Sequence, residues 1–175
     1  MFAGGVSGGL FMSTNAGGTW MPVNDTLPNM VVSCITQDGD GNILFGTGEG
    51  MARGGNGDGN SAFIGAGLFK MNYNSVSDSY SNPHVIAATV PTPNNNTIAT
   101  WAYINRVKVS PSKINGNYYI YCATGDGLKL STDGGATFVD AITTLNNKFC
   151  FDVDVCNNGA VYCSGGSYLG GNNKI

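Results

Sequence analysis

Ser13-Thr14-Asn15-Ala16-Gly17-Gly18-Thr19-Trp20 returns later in the chain as Ser131-Thr132-Asp133-Gly134-Gly135-Ala136-Thr137-Phe138. The two octets start 118 residues apart, at 13 and 131. Recurrence at a fixed distance marks a repeat architecture and has to be settled before any other reading. Each octet also has a local logic. The Asn or Asp at the third place can accept backbone N–H groups and close an Asx-type turn, and Gly17 and Gly135 supply a positive φ. Trp20 and Phe138 are expected to start the next strand and to pack between neighbouring units. On this reading Ser13, Asn15, Gly17, Thr19, Trp20, Ser131, Asp133, Gly135, Thr137 and Phe138 are structural turn residues rather than a binding site.

Working outward, Gly9-Leu10-Phe11, Gly67-Leu68-Phe69 and Gly127-Leu128-Lys129 begin 58 and 60 residues apart, so a middle copy lies between the two octets. There the octet has decayed to Met71-Asn72-Tyr73-Asn74. Upstream, Ile43 to Gly48, Ile120 to Gly125 and Val161 to Gly166 are one strand seen three times, and each follows another alternating segment. Asn/Gly and Asp/Gly turns join them, which is a strong hairpin signal. Strands are predicted near 31–36, 43–48, 104–109, 118–124, 151–155 and 160–164. Four antiparallel strands per unit is the pattern of a propeller blade. The predicted fold is therefore all-β: a partial β-propeller of four-stranded antiparallel blades. The units are 1–24 (partial), 25–100 (a blade with long loop insertions at 51–64 and 72–100), 101–145, and 146–175 (partial). His84 falls in the second insertion and is read as a loop residue.

These motifs resemble the Asp-box (BNR) repeat family, which spans sialidases, sortilin-type domains and xyloglucanase-type hydrolases. Gly4 to Trp20, followed by Pro22-Val23-Asn24-Asp25, resembles large secreted Bacteroidetes proteins. So does Phe45-Gly46-Thr47-Gly48-Glu49-Gly50, with its Gly/Asn-rich loop and Gly65 to Lys70. Such proteins commonly carry type IX sorting tails. The resemblance implies a secreted or cell-surface location, contact with the type IX secretion machinery, and a chain cut from a larger protein. By that resemblance residues 1–24 are expected to begin inside a blade and 149–175 to stop short of a third strand. The remaining blades of its own chain, or another protein chain, are the expected partners that complete the ring. Asp25-Thr26-Leu27 resembles an O-glycosylation triplet, with sugar on Thr26.

Composition narrows the function classes. Charged residues are 11% of the chain and the net charge is −3, with two Arg and six scattered Lys. A nucleic-acid partner needs clustered cations, and none is present. No window approaches the ~18 apolar residues of a membrane span, and residues 1–6 carry no signal-peptide pattern. The five cysteines include no C-x-x-C pair, and the single His84 cannot complete a zinc set with them. Cys122 and Cys163 occupy matching strand positions and read as small buried hydrophobes. A disulfide is left open.

Several residues could carry chemistry. Glu49 and Asp126 occupy matching positions at inner strand ends and form the one conceivable acid/base pair. Glycosidases need two carboxylates at a defined separation. Asp38, Asp40 and Asn42 alternate as Ca²⁺ ligands would, though without the glycine and downstream Glu of an EF-hand loop. A hairpin turn explains them equally, and no cofactor is predicted. Tyr73, Tyr80, Trp101 and Tyr103 flank the long insertion and could stack on sugar rings or pack into the core. The expected function is a non-catalytic propeller that binds glycan or protein, or serves adhesion, within a larger multidomain protein. The alternatives are a glycoside hydrolase of the Asp-box type and a structural spacer.

Overall fold

A computed structural model describes residues 1–23, 27, 31–50, 63–91, 101–143 and 149–166. The chain is all-β, with a short 3-10 turn at Ala87–Thr89. The strands are β1 (Phe2–Gly5), β2 (Gly9–Met12), β3 (Met21–Pro22), β4 (Val32–Gln37), β5 (Ile43–Thr47), β6 (Leu68–Met71), β7 (Tyr73–Asn74), β8 (Ser79–Tyr80), β9 (His84–Val85), β10 (Ile104–Val109), β11 (Ile120–Thr124), β12 (Gly127–Ser131), β13 (Val139–Asp140), β14 (Phe149–Val155) and β15 (Val161–Gly166). They form four successive antiparallel sheets, ordered β1-β2-β3, β4-β5-β6-β9, β10-β11-β12-β13 and β14-β15. These four sheets are called blades one to four. A separate two-stranded hairpin, β7-β8, projects from the second.

The side-chain period of two explains how blades stack. Along β5, Ile43 and Phe45 join Leu10, Val32, Phe69 and Met71 in the seam between blades one and two, while Leu44 points the other way. It meets Leu68, Ile104, Val107, Ile120 and Cys122 between blades two and three. In β11 the alternation repeats: Ile120 and Cys122 serve that seam, while Ala123 packs with Leu128, Cys150 and Val153 against blade four. Both faces are covered, so all five residues of β5 are buried.

One irregularity recurs in the first strand of blades two, three and four. The pairing register slips between Val32 and Cys34, between Ile104 and Arg106, and between Cys150 and Asp152. The residues skipped are Ser33, Asn105 and Phe151. Such a bulge bends the strand and re-aims the extra side chain. Ser33 Oγ donates to the Ile104 carbonyl of the next blade, and Asn105 Nδ2 donates to the Cys150 carbonyl of the one after, at 2.7 Å. Each donor is a bulge residue and each acceptor is the residue just before the neighbour's bulge. Ion pairs flank this line: Arg106–Asp152 at 2.8 Å and Lys108–Asp154 at 2.9 Å join blades three and four, and Lys113–Asp40 at 2.7 Å joins three to two.

The strand after the glycine-rich region begins under tight constraint. Gly48 (φ +94) and Gly67 (φ +99) take left-handed backbone that disfavours side chains, and a Cβ on either would fall 2.2–2.4 Å from a backbone oxygen. Between them, the buried Thr47 hydroxyl donates to Gly67 C=O at 2.7 Å and accepts from Ala66 N–H at 2.8 Å. Thr124 repeats the clasp in blade three, donating to Gly127 C=O at 2.8 Å and accepting from Asp126 N–H at 3.1 Å.

Four expectations need correction. His84 is not a loop residue: it pairs with Lys70 in β9, the fourth strand of blade two. The insertion predicted at 72–100 is structured over its described part, with the β7-β8 hairpin, β9 and the 3-10 turn; 92–100 lies outside the described residues, as does 51–62 of the other insertion. Trp20 does not pack between blades and is 40% exposed, whereas Phe138 stacks edge-on against Trp101 at 4.7 Å. Cys163 is exposed, although its counterpart Cys122 is fully buried.

Candidate binding cleft

The two octets close turns through the same bonds. In the first, Ser13 Oγ donates to Asn15 Oδ1 (3.0 Å) and accepts from Gly17 N–H (2.9 Å), while Asn15 Oδ1 accepts from Thr19 N–H (2.8 Å). In the second, Ser131 Oγ donates to Asp133 Oδ1 (2.8 Å) and accepts from Gly135 N–H (2.8 Å), while Asp133 Oδ1 accepts from Thr137 N–H (2.9 Å). The last bond reverses polarity: the Asn15 amide donates to the Thr19 hydroxyl (2.9 Å), but the Thr137 hydroxyl donates to the Asp133 carboxylate (2.5 Å). The Thr137 hydroxyl and N–H, helped by Ser131, hold the Asp133 carboxyl well below the usual carboxylate range. Trp20 ends the first octet at the surface beside Met21.

The first turn forms one wall of a cleft of about 570 Å³. Ser13 and Thr14 stand on that wall, with Phe2, Met12 and Met21 of blade one beside them. The opposite wall is the β7-β8 hairpin, which contributes Asp78, Ser79 and Tyr80, followed by Ser81 and Asn82. Asn74 caps the hairpin turn by accepting Val76 N–H at 2.9 Å and Ser77 N–H at 3.3 Å. The decayed octet thus keeps an Asx turn while its strand ends are redirected outward. Two rings, Phe2 and Tyr80, line the cleft, and Tyr73 packs against Tyr80 without lining it. Tyr80 meets Phe2 edge-on at 5.0 Å and Tyr73 at 5.1 Å, and the Tyr73 hydroxyl donates to Asp78 at 2.8 Å. Burial and the Asp78 charge push the Tyr80 phenol upward, so it stays protonated as a donor at neutral pH.

Of the four aromatic candidates, only Tyr80 lines this cleft. Trp101 and Tyr103 are 7% and 5% exposed and belong to the core, which rules out stacking on an outside sugar. Glu49 and Asp126 are held by different partners. Asp126 is bound to Lys129 at 2.8 Å, and Lys129, nearly buried, also holds Asp140 at 2.6 Å. Burial alone would lower the Lys129 pKa, but the hydrogen bonds it donates to the two carboxylates raise it on balance. Lys129 occupies the β12 position that Phe69 fills in β6, so Asp126 serves as a counterion to a polar replacement for a core aromatic. Glu49 N–H donates to Phe63 C=O at 2.9 Å, and neither acid lines the 570 Å³ cleft.

The candidate Ca²⁺ ligands already have partners within the protein. Asp38 Oδ1 accepts from the N–H groups of Asp40 and Asn42, both at 3.0 Å, and Asp38 Oδ2 accepts from the Asn42 amide at 2.9 Å. Asp40 is paired with Lys113, and Asn42 Oδ1 accepts Tyr73 N–H. Among the described residues no group of three His, Cys, Asp or Glu side chains is arranged to hold a metal. These residues line a smaller polar cleft of about 230 Å³ with Lys113, Tyr118 and Asp133. Thr26 lies outside the described residues. Among the described residues no helix is long and apolar enough to cross a membrane.

Residues 26–49, which include the β4-β5 hairpin, match the family model described as two component regulator propeller. The chain is a partial β-propeller. No curated protein matches it. The propeller's inter-blade bonds escaped sequence reasoning because Ser33 and Ile104 are 71 residues apart. The β7-β8 hairpin left a faint signal in the symmetric Tyr73-Asn74 and Ser79-Tyr80 around a polar turn.

Proposed function

We propose that this propeller is a non-catalytic, ligand-binding stretch of a secreted or cell-surface multidomain protein, and that it takes a glycan in the cleft between blade one and the β7-β8 hairpin. On this reading its octets are Asp-box turns and its export follows the type IX route. The observation that carries the reading is Tyr80, set between the Phe2 and Tyr73 rings and flanked by Ser79, Ser81 and Asn82. Apolar floors with a few convergent polar groups are the usual make-up of ligand sites, and a sugar offers C–H faces to rings and hydroxyls to amides. The test is a glycan array followed by calorimetry on the hits, with Tyr80→Ala as the variant. Loss of binding with an unchanged far-ultraviolet spectrum supports the proposal. Absence of any glycan ligand, or binding indifferent to Tyr80→Ala, overturns it.

A second reading is favoured by the family match: a propeller that senses a ligand for a two-component regulator. It would use the same cleft for a soluble small molecule. Binding of such a molecule in place of a polysaccharide separates the two. A hydrolase reading draws no support from Glu49 and Asp126, because Asp126 is neutralised by Lys129.

A further inference from the structure

The β14-β15 hairpin holds two of the five cysteines in an arrangement unlike the others. In its register Cys150 lies opposite Gly165 and Cys163 opposite Val153, so the two cysteines are diagonal neighbours on one face. Cys150 Sγ donates to the Ser164 carbonyl at 3.4 Å and to the Asp152 carbonyl at 3.5 Å. The first of these holds the sulfur over the residue adjoining Cys163. The Cys163 thiol is near enough to add to the upward push on the Cys150 thiol. They differ in access: Cys150 is 3% exposed, whereas Cys163 is open to solvent. Cys34 and Cys122 are buried in the seam between blades two and three, where no external reagent reaches them.

We infer that Cys163 is the reactive thiol of this propeller and that, on exchange with an external low-molecular-weight disulfide, it closes a disulfide with Cys150 across β14-β15. Cys163 gives its proton to solvent and its thiolate attacks one sulfur of the external disulfide. This forms a mixed disulfide and releases one thiol. Cys150 then gives up its proton and attacks Cys163 Sγ, releasing the second thiol. Two protein thiols are oxidised and one external disulfide is reduced to two thiols.

Burial fixes the order of the two attacks. The Cys150 thiol is pushed up to about 12, chiefly by burial, so it is scarcely ionised at neutral pH and cannot attack first. Proximity makes the second step possible, because a neighbouring thiol on the next strand acts at high effective concentration. The β14 bulge beside Cys150 and the Gly165-Gly166 end of β15 give the hairpin room to bring the sulfurs together.

The test is incubation of the native protein with oxidised glutathione, followed by peptide mapping without reductant. The expected product is a Cys150–Cys163 cross-link, with Cys34 and Cys122 unmodified. Cys150→Ser should instead arrest at a glutathione adduct on Cys163. Cys163→Ser, a change at an exposed site, should abolish the cross-link while leaving the melting temperature unchanged. In native alkylation Cys163 should react at least roughly tenfold faster than Cys34 or Cys122, as its access requires. A wild-type protein that stops at a Cys163 adduct, or that links Cys163 to Cys156, overturns the inference. So does a Cys163 that alkylates no faster than Cys34.

Discussion

Replacing Thr47 by valine tests whether the clasp at the end of β5 acts through its hydroxyl or through its packing. Valine keeps the outline of threonine but removes a donor and an acceptor. Thr47 is fully buried, so Gly67 C=O and Ala66 N–H lose their partner at that site. An orphaned buried polar group costs about 1–3 kcal/mol. Ala66 is half-buried and water can recover part of its loss, which leaves a total of about 2–4 kcal/mol for the pair. Thr47→Ser keeps the hydroxyl and deletes one methyl, at about 1 kcal/mol. In a chain of this length 1 kcal/mol moves Tm by about 2–4 °C, so valine should melt about 5–15 °C lower and serine about 2–4 °C lower. Urea titration should show the same order, with an unchanged slope for both variants. The equivalent pair at Thr124 should behave alike. If valine is as mild as serine at either site, the hydroxyl is dispensable and the clasp is only a packing contact.

Three further outcomes are expected. The Asp133 carboxyl is held below its ordinary pKa when folded, so its contribution to stability is full above about pH 4 and is lost as pH falls through the folded value. Asp133→Asn should therefore be less stable at neutral pH, and its deficit should shrink in acid melts toward pH 2; a constant deficit would refute the charge argument. Asn105→Ala removes the donor to Cys150 C=O and should cost about 1–2 kcal/mol, read as a lower urea midpoint. Lys129→Met should be close to neutral, because apolar residues of similar volume often replace buried ion pairs without loss, while Lys129→Ala should destabilise by about 2 kcal/mol or more; calorimetry distinguishes them.

The parts of the fold legible in the sequence are those encoded within a few neighbouring residues. The octets could be read because Ser13, Asn15, Gly17 and Thr19 complete their own bonds, and the same holds for Ser131 to Thr137. Strand hairpins were legible for the same reason, since alternation and Asn/Gly turns are local. What escaped depended on distant partners. Nothing near Trp101 says that Phe138 will cover it, and nothing near Trp20 says that it will stay 40% exposed. The role of Asp126 as counterion to Lys129, which stands where a neighbouring blade has Phe69, needed the structure to be seen. Blade two hid its fourth strand because the β7-β8 hairpin intervenes before His84 and Val85. The cleft was half legible: Tyr80 stood out as an aromatic beside an insertion, but Phe2, which meets it edge-on, lies at the far end of the sequence.

The bulge bonds give the propeller a grammar of succession. Ser33 addresses the blade after it, Asn105 addresses the next, and at the same position in β14 stands Phe151, 38% exposed and with nothing to donate. Blades are therefore not interchangeable tiles. Duplicating blade three in tandem would give each copy of Asn105 an Ile104 or Cys150 carbonyl to address, so the new seam would be written in the same terms as the old. Duplicating blade four would set Phe151 against a carbonyl that expects a proton, and that seam would have to close on apolar contact alone. Growth of such a ring by gene duplication should thus be easier on one side of β14 than on the other.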